Sequence, residues 1–209
     1  MIKLEGENNR RDYVLAPDEK TALLDAALND DNPRIWLFTM MGLHTSLRHA
    51  EIVRARFEHH DHRRRRLRAL VKGGRWREQP LTRTINDVLR REREMAGDQD
   101  DQDGWIFPST RTKRGHVDSM KSAFRRIVIA AGLDPEKVTP HTMRHTSITE
   151  LAETGAEART IQAFSGHKSK EMVWRYTHAR DQRIDQALDR FEEEGTKVEH
   201  LADRQRPRS

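Results

Sequence analysis

Apolar side chains recur at helical spacing along most of this chain, and this periodicity limits the fold more than any other feature. The clearest stripe is closed by Gly132 and consists of Val117, Met120, Phe124, Ile127, Val128 and Ala131. Thr139 followed by Pro140 predicts the cap and first turn of another helix, which ends at Gly155. Further helices are predicted at residues 17–28, 33–42, 47–56, 156–164 and 181–191, with two more opening after Thr82 and at Ser169.

One segment has the period of a strand instead. From residue 66 to residue 71, Leu67, Ala69 and Val71 alternate with the other three positions. The turn-forming run Lys72-Gly73-Gly74-Arg75 follows, and residues 77–81 supply a partner strand. A small antiparallel hairpin with Lys72 near its tip is therefore predicted. The fold class is α+β, mostly helical.

The length of 209 residues suits one domain. Residues 1–12 show no periodicity and predict a flexible N-terminal arm, and residues 195–209 predict a disordered C-terminal tail. Residues 97–104 predict an acidic surface loop that is too short to separate two domains. A single domain is thus expected over residues 13–194.

Cysteine is absent from the sequence, which excludes disulfide scaffolds, thiol nucleophiles and cysteine-based zinc or iron–sulfur sites. No apolar run approaches the roughly 18 residues of a membrane span, and the first 15 residues lack the apolar core of a signal peptide. We therefore expect a soluble intracellular protein.

Arginine dominates the positive charge of this chain. The sequence has a net charge of +5, with 30 arginines against 9 lysines, and guanidinium is the better bidentate partner for phosphate. A polyanion is the leading class of partner. The alternative is a surface that mixed charge merely keeps soluble.

Short motifs follow one another in a specific order. They are R-x-x-E at residues 48–51, a lysine in the predicted turn at 72, H-x-x-R-H at 141–145, G-H at 166–167, and a tyrosine at 176, nine residues after the last histidine. From about Val14 to Phe191, this order and spacing resemble the catalytic domain of the tyrosine recombinases, the phage-integrase family.

The resemblance implies a site-specific recombinase or integrase of bacterial or phage origin, working in the cytoplasm on double-stranded DNA. It implies a tyrosine-recombinase catalytic domain over residues 13–194, with a small antiparallel hairpin or three-stranded sheet in its N-terminal third. In that family a tyrosine hydroxyl attacks a DNA phosphodiester, which leaves a 3′-phosphotyrosyl bond and a free 5′-hydroxyl. A 5′-hydroxyl from another strand reverses the step, without a metal or nucleotide cofactor. The implied catalytic residues are Arg48, Lys72, His141, Arg144, His167 and the nucleophile Tyr176.

The residue types suit that chemistry on physical grounds. The non-bridging oxygens of a five-coordinate phosphate gather negative charge, and Arg48 and Arg144 can hold both oxygens while His167 donates a further hydrogen bond. A phenol has a pKa of about 10, so Tyr176 needs a base, His141, or cationic surroundings that favour phenolate.

The leaving 5′-oxygen needs a proton, and Lys72 on a hairpin tip can supply it. Each residue also has an ordinary structural interpretation. Arg48 could be a helix residue paired with Glu51 or Glu58, Lys72 an ordinary turn lysine, and Tyr176 a half-buried aromatic.

Histidines raise two metal hypotheses. His141 and His145 have the i, i+4 spacing of H-E-x-x-H zinc sites, but Thr142 replaces the glutamate and Arg144 adds positive charge. Residues 58–62 carry three histidines and two carboxylates, yet strand alternation puts His60 and His62 on one side and His59 on the other. We expect no metal at either place.

Six arginines around the hairpin are candidate contacts to DNA phosphates: Arg63, Arg64, Arg65, Arg66, Arg68 and Arg75. Such contacts would give salt-dependent affinity that is independent of base sequence. The alternative is a solvated charged face.

The predicted helix at 181–191 is amphipathic, with Ile184, Leu188 and Phe191 on one side. In the family this segment often docks on a neighbouring protomer, so we expect self-association on DNA, and packing in cis is the alternative. From its length we expect the chain to lack the N-terminal core-binding domain of typical relatives. A DNA-binding remnant without catalysis is therefore the alternative function, a metal-dependent nuclease is a third, and topoisomerase-like relaxation is a secondary possibility.

Overall fold

The computed structural model of the chain describes residues 13–96, 104–167 and 176. Its helices are α1 (Pro17–Leu28), α2 (Ile35–His44), α3 (His49–Val53), α4 (Arg83–Ala96), α5 (Lys121–Ala130), α6 (Pro140–Glu153) and α7 (Ala158–Ser165). Its strands are β1 (His60–Asp61), β2 (Arg66–Val71) and β3 (Arg75–Pro80). The predicted α+β, mostly helical class is confirmed.

Helix α2 lies at the centre of the helical layer and contacts α1, α3, α4, α5 and α6. It is apolar on almost every side, as expected of a helix buried all round. The ring of Phe38 packs edge-on against the rings of Phe107 and Phe124, with centroids 6.2 Å apart in each pair. Burying a side chain of this size stabilises the fold by roughly 1.5–3 kcal/mol, so α2 anchors the elements that carry the site.

Gly42 lies inside α2, and the predicted helix end at this glycine was wrong, because the helix continues to His44. A Cβ added to Gly42 would lie 2.5 Å from Cε and 2.8 Å from Sδ of Met143 on α6. The glycine therefore allows α6 to approach α2 closely, and α6 carries two predicted site residues, His141 and Arg144.

Four helices begin later than predicted: α2 at Ile35, α3 at His49, α5 at Lys121 and α7 at Ala158. Before each of the first three, a polar side chain accepts a hydrogen bond from the backbone N–H two residues later. The acceptors are Asn32, Thr45 and Ser119, at 3.0, 3.2 and 3.2 Å. Such local bonds hold the backbone in a turn and delay the helix.

The sheet is antiparallel with strand order β1-β2-β3, which confirms the predicted small sheet. β3 begins at Arg75, two residues earlier than predicted, and the register pairs Val71 with Arg75 and Arg66 with Pro80. Gly73 and Gly74 have φ of 89° and 70°, a conformation that glycine adopts at little cost. The hairpin tip at Lys72 is therefore tight and exposed.

A second, smaller apolar cluster joins α6 and α7. Ile148, Ala152 and Ile161 are buried in it, and Phe164 and Tyr176 pack against it. This packing brings the residue at 176 back to the helix that carries His141 and Arg144.

Several predictions fall on residues outside the described ones: the arm at 1–12, most of the acidic loop at 97–104, the helix opening at Ser169, the amphipathic helix with Ile184, Leu188 and Phe191, and the tail at 195–209. Of the helices that the structure describes, none is both long and apolar enough to cross a membrane.

Candidate active site

Arg48 is fixed at the start of α3 by a buried carboxylate. The Arg48 backbone N–H donates to Oε2 of Glu51 at 3.0 Å, and the Arg48 Nη1 donates to Oε1 at 3.0 Å. Glu51 is only 4% exposed, whereas the Arg48 side chain is 51% exposed. The ion pair with Glu51 does exist, and it leaves half of the Arg48 side chain open to solvent. Glu58 instead pairs with Arg56 at 2.8 Å.

Arg144 on α6 is 3% exposed. Its Nη2 donates to the carbonyl of Ser165 at 2.8 Å, and its Nη1 is buried and, among the described residues, has no hydrogen-bond partner. Burial, followed by the positive charges of Arg48 and Arg77, lowers the pKa of Arg144 to about 10. The guanidinium therefore stays charged at pH 7, and one of its terminal nitrogens has no acceptor among the described residues.

His167 follows Gly166, which ends α7 in the left-handed conformation with φ of 65°. Burial, then the charges of Arg144 and Arg48, lowers the pKa of His167 to about 4, so the ring is neutral at pH 7. The Nη2 of Arg144 lies 3.4 Å from the ring Nε2. Because arginine can only donate, this contact assigns the ring hydrogen to Nδ1, which is buried and is not bonded within the described structure.

Tyr176 lies against two histidines. Its ring stacks on that of His167, with centroids 5.8 Å apart and planes 15° apart. Its hydroxyl is 3.3 Å from Nδ1 of His145. The imidazole that contacts the hydroxyl is therefore that of His145, whereas the predicted base was His141.

Two surface depressions meet at Arg48. The first, about 600 Å³, is lined by His141 and Arg144 as well as Arg48. The second, about 860 Å³, is lined by Lys72, Arg77 and His167 as well as Arg48. The structure thus brings five of the six predicted residues around one region, and the ring of the sixth, Tyr176, stacks on His167. The described charges of the region are mostly positive, so the region repels a metal cation and suits an anion.

Residues 13–183 match the model of the phage integrase family. The chain belongs to this family. Among curated relatives, it is 30% identical to the tyrosine recombinase XerD of Vibrio cholerae over 146 residues, which are 68% of this chain and 48% of that protein. It is 26% identical to the tyrosine recombinase XerC of Corynebacterium glutamicum over 191 residues, 90% of this chain and 58% of that one. The chain thus spans about half the length of these relatives.

Solved structures share the fold of this family member. The crystal structure of XerA recombinase matches with a TM-score of 0.67 and 24% identity, covering 94% of this chain and 66% of that one. XerH recombinase in a post-cleavage complex with a palindromic difH substrate matches with a TM-score of 0.69 and 20% identity, covering 90% of this chain and 56% of that one. At these identities the likeness establishes the fold.

Three residues of the site were given no part in the chemistry by the sequence prediction. Glu51 was considered only as the partner of Arg48 in an ordinary helix, and the structure shows that this pair also holds Arg48 at the start of α3. His145 is the last residue of H-x-x-R-H and was considered only as a zinc ligand. Arg77 gave no local signal, because a single arginine in a strand resembles any exposed cation.

The six candidate DNA-contacting arginines do not form one patch with the site. Arg63 to Arg65 lie in the exposed turn between β1 and β2, and Arg66 begins β2. Six residue steps along β2 separate Arg66 from the tip at Lys72 by about 20 Å. Arg68 packs over the ring of Trp76 on the outer face, at 5.1 Å from the centroid. Only Arg75 lines the second depression.

The histidines at 59–62 make contacts other than a metal site. The Nε2 of His60 lies 2.9 Å from Oδ1 of Asn86, and Nδ2 of Asn86 lies 2.8 Å from Nδ1 of His62. The ring of His59 packs against Trp76, with centroids 4.5 Å apart. Within the described ranges, no three histidine or acidic side chains are grouped as metal ligands.

Proposed function

We propose that this chain is the catalytic domain of a site-specific DNA recombinase or integrase, which cleaves and rejoins double-stranded DNA through a 3′-phosphotyrosyl intermediate. The observation that carries the proposal is the buried Nη1 of Arg144, which has no partner among the described residues, in a side chain that lines a depression shared with Arg48. Leaving a buried charged donor unsatisfied is costly, so the site is built for an anionic acceptor. A DNA phosphodiester is that acceptor.

Phosphate binding uses the two guanidinium groups first. Arg48 and Arg144 hold the two non-bridging oxygens by charge-assisted hydrogen bonds. The Nδ1–H of His167, which is buried and neutral, donates to one of the same oxygens. These bonds strengthen as negative charge builds up in the five-coordinate transition state, and each is worth about 10² to 10³ in rate.

The nucleophile is the Tyr176 oxygen. Its proton passes to His145, whose Nδ1 is 3.3 Å away, and the surrounding cations lower the energy of the phenolate. The Tyr176 oxygen then bonds to phosphorus as the bond from phosphorus to the 5′-oxygen breaks. Lys72 donates a proton to that oxygen, which leaves as a 5′-hydroxyl. In the reverse step, a 5′-hydroxyl of another strand attacks the phosphotyrosyl bond, and the Tyr176 phenol is restored.

The flanking DNA is the second part of the proposal. The arginines at 63–66, with Arg68, bind phosphates away from the scissile one, and Arg75 binds a phosphate beside the site. All of these contacts add affinity that salt weakens. A second copy of the chain binds through Ile184, Leu188 and Phe191, whose spacing makes one apolar face. Because the substrate is bacterial or phage DNA, the protein works in the cytoplasm.

A covalent trapping experiment tests the catalytic proposal. The substrate is a nicked duplex taken from DNA that flanks the gene, so that the short fragment carrying the 5′-hydroxyl diffuses away after cleavage. We expect an SDS-stable protein–DNA adduct that forms equally in EDTA. A DNA-binding remnant would bind this duplex in a salt-dependent manner without adduct, and an EDTA-sensitive nuclease would cleave it without adduct; either result contradicts the proposal.

The sequence offers a matched control for the nucleophile, because it contains only two tyrosines. Tyr13 donates a hydrogen bond to Glu19, and that bond, with burial, raises the pKa of Tyr13 to about 12, which makes it a poor nucleophile. We expect Tyr176→Phe to abolish the adduct and Tyr13→Phe to retain it. An adduct that survives in Tyr176→Phe would remove Tyr176 from the mechanism.

A further inference from the structure

Arg77 is a half-buried cation in β3, on the face of the sheet that looks toward the site. Its Nη1 donates to the carbonyl of Phe164 at 3.3 Å, and its Nη2 donates to Oγ of Ser46 at 3.2 Å and to the side-chain oxygen of Gln79. None of these acceptors is a carboxylate. Its Nε is buried without a hydrogen-bond partner among the described residues.

Such an arrangement is a poor way to stabilise a fold. Removing a guanidinium from water costs free energy. Hydrogen bonds to neutral acceptors offset little of that cost, especially when one N–H has no acceptor. Burial lowers the pKa of Arg77, because removal from water disfavours the charged form. An apolar side chain of similar length would fill this position at lower cost, so the arginine needs a reason beyond packing.

The hydrogen bonds of Arg77 connect three segments that carry site residues. Ser46 lies two residues before Arg48, Phe164 lies three residues before His167, and β3 forms the hairpin with Lys72 at its tip. The contact with the α7 end is very close. A Cβ added to Gly166 would lie 1.9 Å from Nη1 of Arg77, so the guanidinium lies directly against the backbone that precedes His167.

We propose that Arg77 is a positioning residue for strand cleavage: its guanidinium holds the backbone at Gly166 so that the His167 ring donates to the scissile phosphate. This inference rests on the proposed function. Arg77 acts through His167, since both of its terminal nitrogens are already bonded to protein acceptors. A displacement of a catalytic group by about 1 Å can lower a rate by about 100-fold, and such a displacement is expected when this contact is removed.

The test compares Arg77→Met, Arg77→Lys and the control Arg90→Met, whose residue is an exposed cation on α4 paired with Glu94. Single-turnover cleavage is measured on the nicked duplex, and the Kd for DNA is measured in a Tyr176→Phe background. We expect Arg77→Met to cleave about 100-fold more slowly, with a Kd within about threefold of the parent. Arg77→Lys keeps the charge but lacks the two terminal nitrogens of the guanidinium, so we expect it to cleave more slowly than the parent. We expect Arg90→Met to cleave at the rate of the parent.

A modified substrate separates His167 from Lys72. With sulfur in place of the scissile 5′-oxygen, the leaving thiolate needs no proton, because a thiol has a pKa of about 8.5. We expect the Arg77→Met defect to persist on this substrate. Recovery of the parent rate would overturn the inference, because Arg77 would then act through the lysine on the hairpin.

A double variant keeps the inference testable if Arg77→Met is destabilised. When two residues act through one contact, their effects do not add, so Arg77→Lys combined with His167→Gln should cleave at the rate of His167→Gln alone. Additive losses, or a parent-like rate for Arg77→Met, would overturn the inference while leaving the proposed function intact. If the parent forms no adduct, the proposed function fails and the inference fails with it.

Discussion

Acid should destabilise the DNA-free protein through His167. Replacing His167 with glutamine removes a ring whose pKa is lowered to about 4 by burial and by the charges of Arg144, Arg48, Arg77 and His141. In the unfolded chain the same ring has a pKa of 6.5. Between these values the unfolded state binds the proton and the folded state does not, so the free energy of unfolding falls as the pH falls through this window.

The size of the effect follows from the two pKa values. From pH 7 to pH 5, the difference in proton binding removes about 2 kcal/mol from the free energy of unfolding without screening. The ring is partly exposed, and solvent screening reduces the contribution to about 1 kcal/mol. His44, His49, His59, His60 and His141 also have lowered pKa values, mainly through burial. They add to the loss in the same direction.

Urea unfolding at pH 7, 6 and 5, followed by circular dichroism, measures this effect. The parent should lose more stability over the range than His167→Gln, by about 1 kcal/mol. Both proteins share the remaining histidines and the carboxylates, so the comparison isolates one ring. Parallel pH dependence in the two proteins would refute the reasoning about the pKa of His167.

Three further predictions concern single cations. Arg144→Lys should cleave the nicked duplex about 10² to 10³ times more slowly in a single-turnover assay, because the single nitrogen of lysine cannot occupy the positions of both terminal guanidinium nitrogens, one on Ser165 and one for a phosphate oxygen; an unchanged rate would contradict its role. Lys72→Ala should lower the rate by about 10² to 10⁴, and the substrate with a 5′-sulfur leaving group should restore it, whereas a persistent defect would exclude Lys72 as the acid. Arg75→Gln should reduce the slope of log Kd against log salt by about 1, measured by fluorescence anisotropy, and an unchanged slope would show that Arg75 meets no phosphate.

Local signals predicted the elements that carry the chemistry. Thr139 and Pro140 predicted the start of α6, and the double glycine after Lys72 predicted the hairpin tip. Each of these is set by backbone preferences within a few residues. The order of the motifs then pointed to the right family before any contact was known.

Contacts between segments that are distant in the sequence could not be predicted from such local signals. Gly42 resembles a helix stop, and only the position of Met143 on another helix reveals that it allows close packing. His145 is one residue from a motif arginine, and only the return of the chain at Tyr176 gives it a role. Arg77 likewise gains its partners from segments 31 and 87 residues away.

For the arginine-rich run after β1, the sequence suggested a proximity to the site that the structure does not show. Adjacency in sequence put Arg63 to Arg66 beside the hairpin, but the register of β2 and β3 puts them at the end of the sheet opposite Lys72. Their proposed role is therefore confined to DNA away from the scissile phosphate, whereas Arg75 faces the site itself.

The most direct test of the central claim is to identify the residue that carries DNA after cleavage. Trapped adduct is digested with nuclease and trypsin, and the peptides are sequenced by mass spectrometry. Cleavage after Arg175 and Arg180 yields a peptide of residues 176–180, and we expect a nucleotide phosphate on its tyrosine. A nucleotide on any other residue, or cleaved DNA with no modified peptide, would contradict the assignment of Tyr176 as the nucleophile.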